Sequence, residues 1–309
     1  MTSPWPSKQA RWDAINNSLL TFHQNVRPLP GIPSRSERDA LTSQIVASLR
    51  RLEFTQAKLA RTPNALRADP ADDMFDPESG AIWLANQGLL DEAVWLTFLS
   101  VHFGKHGRSG WTRLKEVYGG RRGARWTWAR VAADVPAFRA WLEANRHAIG
   151  GGFGNHRKYE SLGGQNAGGT GAVVESYLGW IGPGASHQAH FAALIAKGGN
   201  DPARIFDEFY NSMQVARFGR LGKFDFLALL GRLKLAPIEP GSAYLAGATG
   251  PLRGVRLLFG GSTTAAIGVN QLQTMLDELD GHLGVGMQVL EDSLCNWQKS
   301  PARFVHFLG

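Results

Sequence analysis

Apolar residues at helical spacing recur along most of this chain, and this pattern constrains the fold more than any other feature. Leu41, Ile45, Leu49 and Leu52 form one such stripe. Residues 89–103 predict a buried helix whose first turn carries acidic residues, which interact favourably with the helix dipole. No pair of alternating segments joined by an Asn-Gly turn predicts a β-hairpin. The sequence therefore predicts an all-α fold.

Aspartate followed closely by proline marks the start of two more helices. Asp134 precedes Pro136, and Asp201 precedes Pro202. An aspartate side chain accepts hydrogen bonds from the free N–H groups of a first helical turn, and proline is tolerated in that turn. Helices are also predicted over residues 186–197, 224–233, 271–282 and 286–298.

Composition narrows the class of protein. With 309 residues and 43% hydrophobic content the chain is expected to be globular. The net charge of +7 suits a polyanionic partner. Cys295 is the one cysteine, so no internal disulfide forms, and no Cys/His cluster has zinc spacing. Without a signal peptide or an 18-residue apolar run, we expect a cytoplasmic protein that has no membrane contact.

Positive charge is concentrated in residues 104–130, where eight Lys and Arg residues accompany the single acidic residue Glu116. Three tryptophans are interleaved with these charges. We expect this segment to bind DNA phosphates without regard to base sequence. The residues predicted to make these contacts are Lys105, Arg121, Arg122 and Arg125.

A Gly-x-x-Gly turn leads into a predicted helix within residues 245–258, LAGATGPLRGVRLL. Main-chain N–H groups at such a turn, together with the helix dipole, can hold a phosphate oxygen. Gly247, Thr249, Gly250 and Arg253 are the candidate DNA contacts here. The alternative interpretation is steric, because many glycine-rich turns begin helices without binding a ligand.

This segment resembles the hairpin of helix-hairpin-helix DNA glycosylases. The resemblance implies two helical lobes with the DNA and base site between them. It also implies an N-terminal helical extension over residues 1–78 and a glycosylase-like domain over residues 79–309. The catalytic aspartate of that superfamily corresponds to Asn270 here. No lysine follows Gly250 closely, so the resemblance implies hydrolysis by water rather than a Schiff base with the sugar.

Longer segments resemble a narrower family. FGNHRKYESL (153–162), the stretch 217–261 and LEDSLCNWQKSP (290–301) are similar to the α-glutamyl/putrescinyl thymine pyrophosphorylase family, clade 3. The resemblance extends to bacterial antiphage glycosylases that remove glucosylated hydroxymethylcytosine. It implies an enzyme, needing no cofactor or metal ion, that acts as a monomer on double-stranded DNA containing modified bases.

The richest set of candidate active-site residues follows a glycine run. Excising a base develops positive charge on the sugar, and the base must first be flipped out of the duplex. Glu160 is predicted to be the catalytic acid or base, and His156 a proton donor to the base. The predicted substrate contacts nearby are Asn155, Arg157, Lys158 and Tyr159. The alternative is a solvated loop in which Arg157 or Lys158 pairs with Glu160.

Two other segments supply candidates. Asp292 is the second-ranked catalytic acid, and it shares a helix face with Asn296. It either contacts a flipped nucleotide or caps a neighbouring helix. The remaining predicted substrate contacts are Gln298, Arg217, Lys223 and Asp225. The simpler interpretation of Asp225 is a salt bridge with Lys223 or Arg220 near a helix start.

The resulting prediction is a monofunctional DNA glycosylase that leaves an abasic site in phage DNA. Two alternatives stay open on the sequence. One is a transferase or pyrophosphorylase that modifies a phosphorylated hydroxymethyl base, since this reaction needs a similar pocket. The other is a non-catalytic reader of modified DNA, which the amide at Asn270 favours.

Overall fold

A computed structural model describes residues 3–307, apart from the side chain of Arg122. These residues form fourteen α-helices and no β-strand, so the predicted all-α fold is confirmed. The same residues also form four short 3-10 helices: Pro6–Lys8 precedes the first α-helix, and Ala65–Ala68, Gly120–Arg122 and Asn155–Arg157 lie between later ones. Within the described residues, no helix combines the length and the apolar character that crossing a membrane requires.

The helices are numbered in chain order. They are α1 (Gln9–Asn25), α2 (Arg35–Ala60), α3 (Pro77–Asn86), α4 (Leu90–Phe103), α5 (Thr112–Tyr118), α6 (Trp128–Ala133), α7 (Val135–Asn145), α8 (Thr170–Ile181), α9 (His187–Gly198), α10 (Pro202–Ser212), α11 (Arg220–Arg232), α12 (Gly250–Gly260), α13 (Val269–Leu283) and α14 (Met287–Trp297).

Helix starts follow the capping chemistry of the sequence. The side chain of Asp134 accepts a hydrogen bond from the N–H of Ala137 (2.8 Å), and α7 begins at the next residue. Asp201 accepts one from the N–H of Ala203 (2.9 Å) at the start of α10. In both cases the carboxylate satisfies an N–H group that has no partner within the helix.

The chain divides into two compact units, and the division falls within α2. Of the described residues, the first unit contains 3–54 and 240–307, and the second contains 55–239. These limits differ from the boundary expected between residues 78 and 79. The expected division into an N-terminal extension and a glycosylase-like domain stays a prediction. The predicted placement of a base site between two lobes also stays a prediction.

In the first unit, α12 packs closely on α14. A Cβ atom at Gly254 would lie 2.3 Å from the carbonyl oxygen of Leu294, so only glycine permits this helix spacing. Leu258 and Trp297, both fully buried, belong to the core of this unit. Burial of these large apolar side chains holds the C-terminal helices against α1 and α2.

In the second unit, α4 runs through an aromatic core. Trp95 and Phe98 of α4 are fully buried, and the ring of Phe98 stacks on that of Tyr177 with centroids 3.7 Å apart. Phe218 and Phe226 complete the contact, on either side of the α11 start. This packing fixes the end of α4 and the first turns of α11, which support the candidate site described next.

Candidate active site

A glycine-rich loop lies directly against the end of α4. The N–H of Gly154 donates a hydrogen bond to the carbonyl of Phe103 (2.7 Å). A Cβ at Gly154 would lie 2.9 Å from the Cα of Gly104, which has a positive φ of 62°. Because both residues lack a side chain, the two backbones approach closely and fix the following turn, Asn155–Arg157.

The buried side chain of Arg157 holds this turn in place. Its Nε donates to the carbonyl of Val101 (3.2 Å), and its Nη1 donates to the carbonyl of Arg217 (3.3 Å). The guanidinium carbon lies 4.2 Å from the ring centroid of Phe218. A Cβ at Gly222 would lie 3.0 Å from Nη1, so glycine leaves room for the guanidinium. Arg157 is only 8% exposed, so it acts on the loop's position rather than at the surface.

The carboxylate of Glu160 is turned inward. Its Oε2 lies 3.2 Å from the Nε of Arg217, and its side chain is only 8% exposed, against 42% for Arg217. Arg217 also donates to the carbonyl of Tyr159 (3.2 Å). The backbone of Arg217 has a φ of 62°, a conformation that costs a non-glycine residue free energy and is found at functional sites. The pair therefore joins the loop to the segment before α11.

His156 and Asp225 form the second ion pair of the cluster, and this one is open to solvent. The Nδ1 of His156 lies 4.0 Å from the Oδ2 of Asp225, with side chains 54% and 39% exposed. The protein covers part of the Asp225 side chain, and this partial loss of water raises the pKa of Asp225, against the attraction of His156 and the nearby arginines. An accessible carboxyl group with a raised pKa is suited to proton transfer.

The rim of this cluster carries cations and one exposed aromatic ring. Asn155 and Lys158 are exposed, and the Nζ of Lys158 lies 5.1 Å from the ring centroid of Tyr159. The Nζ of Lys223 donates to the carbonyl of Tyr210 (3.4 Å), and burial lowers the pKa of Lys223. The cluster thus combines an acid, an imidazole and positive charge in one place. These are groups that can accept a proton and hold an anionic substrate.

The first unit holds the other predicted acid in a different setting. Asp292 pairs with Arg51 of α2, and its Oδ1 accepts a hydrogen bond from the Nδ2 of Asn296 (3.0 Å). The Nζ of Lys299 in turn donates to the Oδ1 of Asn296 (2.9 Å). Asp292 and Asn296 share a helix face, as the spacing predicts, and their polar atoms bind one another. The amide of Gln298 donates to the carbonyl of Cys295 (3.2 Å).

The glycine turn of this unit begins α12 at Gly250, after Gly247 with its φ of 75°. Arg253 is exposed, and the side chain of Thr249 makes no capping hydrogen bond. A Cβ at Gly250 would lie 2.5 Å from the Sγ of Cys295. A side chain at this position would therefore displace the thiol of Cys295 on α14, so a bulky residue here tests packing as well as DNA binding.

Asn270, which occupies the place of the superfamily's catalytic aspartate, is exposed in the first turn of α13. Its backbone carbonyl accepts a hydrogen bond from the hydroxyl of Thr274 (3.1 Å). An amide side chain can orient a water molecule, but it cannot take up a proton as a carboxylate does.

The basic segment of residues 104–130 is partly committed to internal contacts. Arg121 lies 3.8 Å from the carboxylate of Glu116, and Arg125 lies 2.5 Å from that of Asp69. Lys105 is exposed, whereas the side chain of Arg122 lies outside the described part of the chain. Trp126 and Trp128 are buried, so these two interleaved tryptophans belong to the core.

A pocket of about 890 Å³ opens beside this segment. Arg121, Arg125 and Lys115 line it together with Glu116. The Oε2 of Glu116 accepts a hydrogen bond from the N–H of Gly150 (2.7 Å). The three basic side chains outnumber this one carboxylate in the lining, so the pocket wall carries a surplus of positive charge. Its size and charge suit an anionic ligand.

The structure brings together some of the predicted site residues and separates others. His156, Glu160, Arg217 and Asp225 form one cluster, whereas Asn270 and Asp292 belong to the other unit. The approach of Asp225 to His156 was not predicted, because the two lie far apart in the sequence and only tertiary packing joins them. The sequence interpretation paired Glu160 with Arg157 or Lys158, but its partner in the ion pair is Arg217.

The geometry describes a helical protein with an accessible acid–imidazole pair beside positive charge. Residues 36–309 match the model of the alpha-glutamyl/putrescinyl thymine pyrophosphorylase clade 3 family. The match spans most of the chain, so the protein belongs to this family, whose members are associated with enzymes that act on modified bases in DNA. Comparisons with curated proteins and with solved structures find no match.

Proposed function

We propose that the protein is a monofunctional DNA glycosylase that excises a hypermodified pyrimidine, such as glucosylated hydroxymethylcytosine, from phage DNA. Family membership supports action on a modified base. The observation that carries the proposal is the open pair of His156 and Asp225, in which the protein surroundings raise the pKa of the acid. On this proposal Asp225, rather than Glu160 or Asp292, is the catalytic carboxylate.

The reaction uses one water molecule. The carboxylate of Asp225 accepts a proton from this water as the water oxygen bonds to C1′ of the deoxyribose. The bond between C1′ and the base nitrogen breaks, and its electron pair leaves with the base. Ionised Asp225 opposes the positive charge that develops on the sugar before it takes up the proton of the water. His156 donates a proton to the departing base, and the proton held by Asp225 then returns to His156, which restores both groups. The products are the free base and an abasic site.

The ion pair of Glu160 and Arg217 has a positioning role in this scheme. This ion pair joins the glycine-rich loop to the segment before α11. The hydrogen bond from Arg157 to the carbonyl of Arg217 joins the same two segments. These contacts fix the distance between His156 and Asp225, since one residue comes from each segment. Fixed geometry lowers the cost of bringing the reacting groups into line.

DNA binding is proposed to rest on two features. The main-chain N–H groups of Gly247, Thr249 and Gly250 bind backbone phosphate, whereas that of Ala248 donates to the carbonyl of Leu245 (3.0 Å). The basic side chains of residues 104–130 add attraction that does not depend on sequence. On this proposal the enzyme acts as a cytoplasmic monomer on double-stranded DNA and serves antiviral defence.

The test is to incubate the protein with DNA that contains glucosylated hydroxymethylcytosine, and with unmodified DNA, in the absence of any co-substrate. Mass spectrometry should find the free modified base, and abasic sites should appear in equal number. Binding of modified DNA with no released base would instead favour a reader of modified DNA and contradict the proposal.

A transferase that displaces pyrophosphate from a modified base is the second candidate. The positively charged pocket beside α5 favours it, because a reaction of that kind must accommodate a phosphorylated group. The family description also names a pyrophosphorylase. This candidate predicts pyrophosphate release from DNA carrying a pyrophosphorylated base when an amine donor is added, and no free base without the donor.

A further inference from the structure

The side chain of Tyr159 is unusually exposed for an aromatic residue. It is 79% exposed, the largest fraction among the large hydrophobic side chains of the described residues. Tyrosine is enriched at binding interfaces, because its ring is apolar and its hydroxyl is polar. Tyr159 lies between Lys158 and Glu160 in the sequence, within the cluster described above.

The backbone beneath this ring is fixed. The carbonyl of Tyr159 accepts a hydrogen bond from the Nη2 of Arg217 (3.2 Å), and the N–H of Glu160 donates to the carbonyl of Arg157 (2.9 Å). The neighbouring Glu160 side chain is held inward by Arg217. The ring therefore projects from an ordered backbone, so that little conformational entropy is lost when a ligand contacts it.

The surroundings indicate what the ring contacts. Leu221 is 39% exposed, and it lies one helical turn before Asp225 on the same face of α11. The Nζ of Lys158 lies 5.1 Å from the centroid of the ring, and Arg217 binds the backbone carbonyl of the same residue. Exposed aromatic and apolar groups bordered by cations fit a ligand that is both flat and anionic, which describes nucleic acid. Two side chains are too small an apolar area for a stable protein interface.

We propose that Tyr159 is a stacking platform for a nucleobase that borders the target nucleotide, a proposal that rests on the function proposed above. The base next to the flipped nucleotide loses its stacking partner within the duplex. The face of Tyr159 replaces that partner and holds the strand while Asp225 and His156 act on the target. Lys158 and Arg217 bind the phosphates on either side.

The experiment uses duplexes that contain glucosylated hydroxymethylcytosine and 5-iodouracil at one flanking position. Irradiation should cross-link the iodinated base to Tyr159 of the wild-type protein. Peptide mass spectrometry identifies the cross-linked residue. Tyr159→Ala should weaken binding about fivefold to a hundredfold, the range that a single base–aromatic stack contributes. Tyr159→Phe, which keeps the aromatic face, should bind and cross-link like the wild type.

The matched control is Leu66→Ala, since Leu66 is another exposed hydrophobic residue of the second unit, 43% exposed. This variant should bind DNA normally. Tyr159→Ala with wild-type affinity, or cross-links that map elsewhere, would overturn the stacking proposal. Base release by the wild type is measured on the same duplexes. If release is absent while the Tyr159 cross-link forms, the glycosylase proposal fails and the stacking proposal stands.

Discussion

Asp225 and Asp292 are aspartates of similar accessibility that have different partners. Their side chains are 39% and 32% exposed, and each lies on a helix beside a basic side chain. Asp292 is held by the guanidinium of Arg51 and by the amide of Asn296. Asp225 has a titratable imidazole 4.0 Å away, and the surrounding protein raises its pKa. Exposure alone therefore does not identify a catalytic acid.

The partners of a carboxylate therefore decide its role more than its access to solvent does. The oxygens of Asp292 are bound by a guanidinium and an amide, which leaves them less available to a substrate or a water molecule. Asp225 has a raised pKa, so it takes up a proton more readily than an ordinary aspartate, as a general base must.

Asp225→Asn should reduce single-turnover release of the modified base by about 10²- to 10⁴-fold, the usual contribution of a general acid or base. DNA affinity should change little, because the amide has nearly the same size. Asp292→Asn should retain near-wild-type release, and so should the control Asp73→Asn, an exposed residue of the second unit. The distinction would be wrong if Asp292→Asn abolished release while Asp225→Asn did not.

Glu160→Gln should reduce release by about tenfold or less, since loss of a positioning contact costs less than loss of the reacting group. The amide keeps a hydrogen bond to Arg217 but loses the ionic attraction. Arg217→Gln should have a similar effect, because it breaks the same pair. A complete loss of release in Glu160→Gln alone would make Glu160 the catalytic acid, as its sequence context predicts.

Replacing Arg121, Arg122 and Arg125 together by alanine should weaken binding to modified and unmodified DNA alike. Removing one phosphate-binding cation should reduce the slope of log K against log salt by about 0.9. Arg121 already pairs with Glu116, and Arg125 with Asp69. The slope of the triple variant should therefore change by less than the sum expected for three unpaired cations. An unchanged salt slope, measured by fluorescence anisotropy, would remove this segment from the DNA-binding surface.

The two aspartates should also differ in their effect on stability, with opposite signs. Asp292→Asn should lower the free energy of unfolding by about 0.5 kcal/mol, the size of a partly exposed ion pair. Asp225→Asn should raise it at neutral pH, because a raised pKa means that folding disfavours the ionised carboxylate. Urea unfolding at several pH values tests this.

The pH dependence of this stability effect has a definite sign. The gain from Asp225→Asn should be absent below the pKa of an aspartate in the unfolded chain, about 3.9, where both states are protonated. It should grow as the pH rises through the raised pKa of the folded state. Equal stability changes in the two variants at neutral pH would mean that the settings of Asp225 and Asp292 do not differ.

Much of the fold follows from local sequence signals. Asp134 and Asp201 each predict a helix start, and the structure confirms both hydrogen bonds. The buried helix α4 agrees with residues 89–103 to within one residue at its start. These predictions succeed because capping and helical periodicity depend on residues a few positions apart. By contrast α8 escaped prediction, since it begins at a glycine-flanked threonine and carries adjacent valines, which favour strands.

The candidate site follows less well from the sequence. The segment 155–160 draws attention through its density of polar groups, but the partner of each group comes from distant residues. Arg217 binds Glu160, and Asp225 approaches His156, through contacts that only the packing of the loop on α11 creates. The close approach of Cys295 to Gly250 was also hidden, because Cys295 lies on another helix.

The most direct test of the central claim is the pH dependence of single-turnover base release. If Asp225 must be ionised to accept the proton from water, the wild-type rate should fall as the pH drops through the raised pKa of Asp225, above the ordinary range of an aspartate. The residual rate of Asp225→Asn should lack this acidic limb, whereas Asp292→Asn should retain it. An acidic limb that persists unchanged in Asp225→Asn would contradict the account.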